Sequence, residues 1–338
     1  MQKHEVTRNS EHYLLSIIYK WRILIMKSPN LFNYEIRPCK FVERRMLLAS
    51  LYQIVINMRQ EYQYIGFGGL MFTDFKLFHK ELSVNSMYSI EGGFTPEKLK
   101  FNKPFSCIKI LHGLSTNMLL KIDLSKPSIV WLDYDGVLTM DVFTDINILF
   151  NSLPHGSVYI MSCNRQLQNE EMNPPRPYTN EEFEKLFNGL VPYDIEKNCC
   201  ANINASRTIK RMIDSYCHKI IEERNKIENT SLKYKSLYNI KYQERGGAKM
   251  FTCGGIIINK DYDEKQLYVN DSNYLNKEDP LEIDIPNLTR KEALYLNQIL
   301  NIEEKEKEIV EGKIIKATDI EKYKKFYKYM PNYYDVRL

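Results

Sequence analysis

The chain has 338 residues, 43% hydrophobic and 27% charged, enough to bury one elaborated domain or two. Seven cysteines, an odd number with no C-x-x-C pair, argue against a disulfide framework or a cysteine zinc site and favour a reduced, cytosolic setting. A net charge of +4 demands no polyanionic partner, and the partly apolar run Tyr13 to Met26, broken by Lys20 and Arg22, is too short to span a bilayer and makes no convincing signal peptide.

Residues 1–60 read as a helical N-terminal cap. They hold ten Lys/Arg against four Asp/Glu, a local +6 that leaves the remainder at −2. Such a face is a weak pointer to nucleic acid or nucleotide, since solvated helix faces explain it as simply. Arg37-Pro38 holds an extended turn, and a helix follows with Val42, Met46 and Leu47 on its way to Met58. Arg37 and Lys40 near its start oppose the helix dipole and need partners. Either Arg37 forms a structural pair with Glu43, or Arg37, Lys40, Glu43 and Arg44 together meet a substrate or partner.

The next segment carries the first chemical signal. A β-rich run, Tyr62 to Ile65, stops at Gly66-Phe67-Gly68-Gly69, and Phe75, Phe78 and Leu82 then recur on one helical face. Strand, glycine turn and helix open a Rossmann-like sheet, where glycines let the backbone approach a ligand. Met87 to Glu91 is a second strand ending in an acid, 23 residues after Gly68. That spacing suits a carboxylate accepting from ribose hydroxyls, though an acid there also caps a turn.

Phe105 to Gly113 is a third strand, and Ser128 to Gly136 a fourth. The fourth is apolar on both faces, as a central parallel strand should be, and ends in Asp133-Tyr134-Asp135. Ser157 to Asn164 is a fifth, while Tyr234–Gln243 and Lys249–Asn259 pair as a hairpin across Arg245-Gly-Gly247. The expectation is an α/β fold: a Rossmann-like, seven-stranded, mostly parallel sheet over residues 61–262, closed by a terminal antiparallel hairpin. A helical insertion spans about 178–232, with a capping box at Thr179 and Glu182. Residues 263–338 form a helical C-terminal extension with a second box at Thr289 and Glu292. Tyr323, Phe326 and Tyr327, among lysines, resemble a nucleic-acid surface, but packing of the rings is the simpler expectation.

These features in this order resemble class I S-adenosylmethionine-dependent methyltransferases. Arg37-Pro-x-Lys40-x-x-Glu43-Arg44, Tyr64-Ile65-Gly66-x-Gly68, Phe72-x-Asp74-Phe and Trp131-Leu-Asp-Tyr-Asp135 are similar to a bacterial O-methyltransferase-like group often met in phage-defence neighbourhoods. The resemblance implies S-adenosylmethionine beside Ile65, Gly66, Phe67, Gly68 and Asp74, its ribose on Glu91. It implies Asp133 and Tyr134 facing the methyl group, and a partner protein of a defence system. Asp133 or Asp135 is then the base for an acceptor hydroxyl, or a ligand for a divalent cation, which carboxylates alone do not specify. The acceptor itself is not legible. Tyr64 stands where the family commonly has an acid.

Two other readings compete. Asp133-x-Asp135-Gly after an apolar strand also fits haloacid dehalogenase-like phosphohydrolases, with Asp133 as nucleophile, Asp135 as acid/base and magnesium on the phosphate. Ser162, Lys249 and Asn270-Asp271-Ser272 would complete that set. The alternative is a non-catalytic nucleotide-sensing or scaffold subunit that keeps the fold alone.

Overall fold

The computed structural model describes residues 37–331 other than 245–246, 268 and 270–277. The helix expected over residues 1–30 and the Asn270-Asp271-Ser272 group lie outside them. The chain begins with helix α1 (Pro38–Met58), strand β1 (Gln63–Gly66), α2 (Thr73–Leu82), β2 (Ser86–Glu91), α3 (Pro96–Asn102) and β3 (Ile108–His112). A short α4 (Ser115–Met118), β4 (Ser128–Val137), α5 (Met140–Phe150) and β5 (Val158–Asn164) follow. Then come β6 (Gln168–Asn169), β7 (Arg176–Pro177), α6 (Asn180–Phe187), α7 (Asn202–Glu228), β8 (Leu232–Gln243) and β9 (Lys249–Asn259). β10 (Leu281–Ile283) precedes α8 (Arg290–Ile299), α9 (Glu303–Glu311) and α10 (Ala317–Phe326).

The main sheet runs β10-β8-β9-β5-β4-β1-β2-β3, and β9 is antiparallel to both of its neighbours while the other pairs are parallel. The chain winds outward from β1 to β3, then returns to β4 on the other side of β1. That reversal opens a crevice at the carboxyl ends of β1 and β4. The expected Rossmann-like sheet and closing hairpin are present. Two details differ. The described residues form eight strands in this sheet, not seven, because Leu281–Ile283 pairs with Ile240–Tyr242 at the edge. The loop expected around Pro174–Pro177 adds a small ribbon, β6 with β7. Segments of two or three residues leave no periodicity to read.

Strand alternation divides the core into two layers. Ile129 and Trp131 of β4 pack with Val42, Leu51, Tyr64 and Phe75 on the α1/α2 side. Val130 and Leu132 pack with Val142, Ile146, Ile213 and Cys217 on the α5/α7 side. Pro38 opens α1, where its missing N–H costs nothing, and Glu244 Oε1 accepts from the Lys40 backbone N–H at 3.0 Å. Ser50 Oγ meets Tyr238 Oη at 2.9 Å, fixing α1 further down to β8. Both expected capping boxes form. In α10, Tyr323 and Phe326 are buried, and Tyr323 Oη donates to Asn297 Oδ1 at 2.8 Å, so these rings serve packing.

The seam between β5 and β9 depends on Gly254. Its φ is +151°, and a Cβ there would stand 2.1 Å from Tyr159 O. Gly254→Ala should cost about 3 kcal/mol, from backbone strain and overpacking together. A urea unfolding curve checks this.

Candidate active site

The crevice is built from three strand ends. After β1 the chain turns through Gly66, Phe67, Gly68 and Gly69, and Phe72 N–H closes the turn on Gly68 O at 2.8 Å. A Cβ at Gly66 would lie 2.6 Å from Tyr64 Oη and 2.9 Å from Trp131 O. One at Gly68 would lie 2.5 Å from Ser89 Oγ. The chain's own packing therefore demands both glycines. Gly69 differs: its φ is +54°, and nothing stands within 4 Å of where its Cβ would be. The Gly69 N–H donates to Glu91 Oε1 at the end of β2. Acid and turn thus share one edge.

On the α1/α2 side of the crevice lies a buried ionic cluster. Lys40 Nζ sits 2.8 Å from Glu43 Oε2 and 2.9 Å from Asp133 Oδ2, with side-chain exposures of 1%, 0% and 15% for the three residues. The ammonium also stands 4.6 Å from the centre of the Trp131 ring, a cation–π contact. Thr252 Oγ1 donates to Glu43 and meets Ser162 Oγ at 2.7 Å, which accepts from Trp131 Nε1 at 3.0 Å. Burial opposes the charge on Lys40, but Asp133 and then Glu43 outweigh it and hold its pKa well above the ordinary lysine range. Burial pushes the Glu43 carboxyl up, and Lys40 works against that rise. Beside this group, Arg44 Nε pairs with Asp74 Oδ1 at 2.5 Å, also buried.

The α5/α7 side is organised differently. Tyr134 Oη donates to Asp145 Oδ2 at 2.7 Å, and Ser115 Oγ donates to the same oxygen at 2.6 Å. The Phe67 ring meets Tyr134 edge-on, centres 5.3 Å apart. Burial pushes the Asp145 carboxyl up, with Ser115 and Tyr134 acting against it. Burial also raises Tyr134 well above the usual phenol range.

A family model described as "Putative O-methyltransferase" matches residues 32–338. The chain belongs to this family. No curated protein sequence matches it. Among solved structures, cofactor-bound Rv0187 from MTB is 12% identical, over 63% of this chain and 79% of its own, at TM-score 0.34. Trm1 from Pyrococcus horikoshii, in complex with S-adenosyl-L-methionine, is 8% identical over 65% of this chain and 55% of its own, at TM-score 0.40. The O-methyltransferase TomG from Streptomyces achromogenes, in complex with SAM, is 10% identical over 61% of this chain and 78% of its own, at TM-score 0.32. At such low identity and TM-score the assignment rests on the family match alone.

In this O-methyltransferase-family chain the expected cofactor residues separate into two groups. Phe67, Glu91 and Asp133 gather at the crevice with the glycine turn, whereas Ile65 is a core residue and Asp74 is held by Arg44. The basic segment proves internal. Lys40, Glu43 and Arg44 are buried, so a macromolecular partner does not reach their charges in this conformation, and Glu43 pairs with Lys40. Asp135 is exposed just beyond Tyr134. The sequence reading missed Asp145, although Val142, Asp145, Ile146 and Leu149 share one helical face and an acid among apolar residues there is a signal.

The crevice suits a polar ligand carrying donors. Asp133 Oδ1 and Ser89 Oγ, on the strands flanking β1, are buried without a hydrogen-bond partner, and such atoms ask for one. Among the described residues no group of three or more His, Cys, Asp or Glu could hold a metal ion. None of their helices is long and apolar enough to cross a membrane. Breaking the Arg44–Asp74 pair from one side leaves a buried charge uncompensated. Arg44→Met should therefore lose about 3–5 kcal/mol, and Arg44→Met with Asp74→Leu should lose less, in chemical unfolding.

Proposed function

We propose that the protein transfers a methyl group from S-adenosylmethionine to a hydroxyl acceptor, in line with its family. The observation that carries this reading is the Gly69 N–H to Glu91 hydrogen bond, which joins the glycine turn to the acid closing β2. In this reading Gly66 to Gly69 underlie the cofactor, and Glu91 accepts from its ribose hydroxyls. Bound S-adenosylmethionine supplies the electrophilic methyl group. The chain's part is alignment of the acceptor and removal of its proton. Asp135, exposed near the end of β4, is assigned the removal of that proton because solvent and an acceptor can reach it. Tyr134, fixed by Asp145 and flanked by Phe67, walls the acceptor's approach.

Calorimetry with S-adenosylmethionine tests this. The wild type should bind, and Glu91→Ala should bind about 10–100-fold more weakly, the range for a hydrogen bond to a charged group. No binding by the wild type overturns the assignment.

The same carboxylate predicts a pH dependence. Burial pushes the Glu91 pKa up; the Gly69 N–H opposes this and Asp135 adds to it. Its protonation thus begins at a higher pH than for an ordinary carboxyl, and the protonated form is the poorer acceptor. Affinity should fall on acidification from that higher pH, and Glu91→Gln should remove this limb of the profile. A finer reading, a role in phage defence beside a partner protein, is supported by the resemblance alone. It expects phage to plate less efficiently on cells carrying the wild type than on cells carrying Glu91→Ala.

A further inference from the structure

Beyond β5 two cations stand side by side with no acid between them. The Arg165 N–H donates to Lys249 O at 2.8 Å, continuing the antiparallel register in which Asn164 faces Met250. Residues directly opposite in such a pair point to the same face, and so do residues two apart in a strand. Cys163 and Phe251, two positions earlier, both lie in the α5/α7 layer. Arg165 Nη1 donates to Asn202 O, at the start of α7, at 2.8 Å. Both cationic side chains therefore leave the sheet on that side.

Like charges placed opposite each other destabilise a sheet unless something offsets them. Among the described residues, neither Arg165 nor Lys249 has an ion-pair partner. Burial lowers the Arg165 pKa and Glu282 acts against this, but Glu282 is itself paired with Lys241 at 3.0 Å. The first turn of α7 brings no acid. Arg165 Nε is buried without an acceptor. A guanidinium with donors to spare, half-buried beside a half-buried ammonium, is a seat for an oxyanion.

Strand β4 places the acceptor's base next to that seat. Asp133 pairs with Ser162 and Val137 with Asn164, so Tyr134, Asp135 and Gly136 bulge out opposite Cys163 alone. Asp135 is left exposed, one strand over from Arg165 and two from Lys249, about 5 and 10 Å across the sheet. A small acceptor then sets its hydroxyl at Asp135 and an anionic group on the two cations.

We propose that Arg165 and Lys249 form an oxyanion subsite for the methyl acceptor, and that this acceptor is a small phosphate monoester carrying a hydroxyl. A monoester's charge of about −2 at neutral pH matches two cations in one spot. A nucleic-acid backbone asks instead for a track of them. The assignment rests on the methyl-transfer reading and deepens it by naming an acceptor class.

Calorimetry on the full chain with inorganic phosphate, at constant ionic strength, tests the subsite. The wild type should bind it with a dissociation constant of about 1 mM or tighter, and glycerol 3-phosphate likewise. Arg165→Gln and Lys249→Gln should each weaken both about tenfold or more, since hydrogen bonds between charged groups are lost. Lys249→Arg, which keeps the charge, should retain binding. S-adenosylmethionine should stay within about twofold of its wild-type affinity in these variants and should bind together with phosphate. Should Arg165→Gln not fold, Lys249→Gln carries the test alone. A wild type that binds no phosphate, variants that bind it unchanged, or phosphate that competes with S-adenosylmethionine each overturn the proposal and leave the cofactor reading standing. A short oligothymidylate without a terminal phosphate that outcompetes glycerol 3-phosphate overturns the monoester assignment. Phosphate binding without S-adenosylmethionine binding overturns the cofactor reading and, with it, the role as acceptor site.

Discussion

The contact on which the rest of this molecule depends is the Lys40 ammonium held between Glu43 and Asp133. Taking charged groups out of water costs several kcal/mol each, and a cluster like this persists only when every charge has close, well-placed partners. Those partners come from distant parts of the chain: α1 supplies Lys40 and Glu43, β4 supplies Asp133 and Trp131, β5 supplies Ser162 and β9 supplies Thr252. Arg44 and Asp74 extend the same logic to α2. Helix α1 is therefore part of the crevice and not a cap laid over it. Any motion of α1 away from the sheet would strand carboxylates in an apolar layer.

Period-two alternation along β4 then gives the crevice two unlike walls. Trp131 and Asp133 point to the α1/α2 layer, where charge is concentrated. Tyr134 points to the α5/α7 layer, where one carboxylate, Asp145, gathers two hydroxyls among apolar side chains. One wall can meet a charged group and the other an aromatic or apolar one. The strand positions that produce this division are consecutive, so a one-residue slip of β4 would exchange the two walls.

Much of the fold could be read from the residues because its signals are local. The apolar run of β4, the two runs of the hairpin joined across Gly-Gly, the two capping boxes and the Phe75/Phe78/Leu82 face each declare themselves locally. The site was legible only in outline. Gly66 and Gly68 read in sequence as a ligand turn, yet in the structure their necessity comes from Tyr64, Trp131 and Ser89. The basic segment invited a surface reading because nothing near it in sequence shows that its counter-ions arrive from Asp74 and Asp133. Strand β10 and the ribbon of β6 with β7 are too short to carry a pattern.

The Asp133-x-Asp135 pair shows how far structural context decides what a motif means. Read as a phosphohydrolase signature, it needs Asp133 free to attack, with Ser162 turned toward the phosphate. Here Asp133 is tied to Lys40, and the Ser162 hydroxyl is engaged by Trp131 and Thr252 inside the core. A carboxylate ion-paired on one oxygen is a weakened nucleophile but a well-oriented acceptor. Three strands also precede β4 in the chain, and the sheet reverses its winding beside it, placing Asp133 across the glycine turn from Glu91. The same three residues that would begin a phosphatase therefore line one side of a crevice that Glu91 borders on the other.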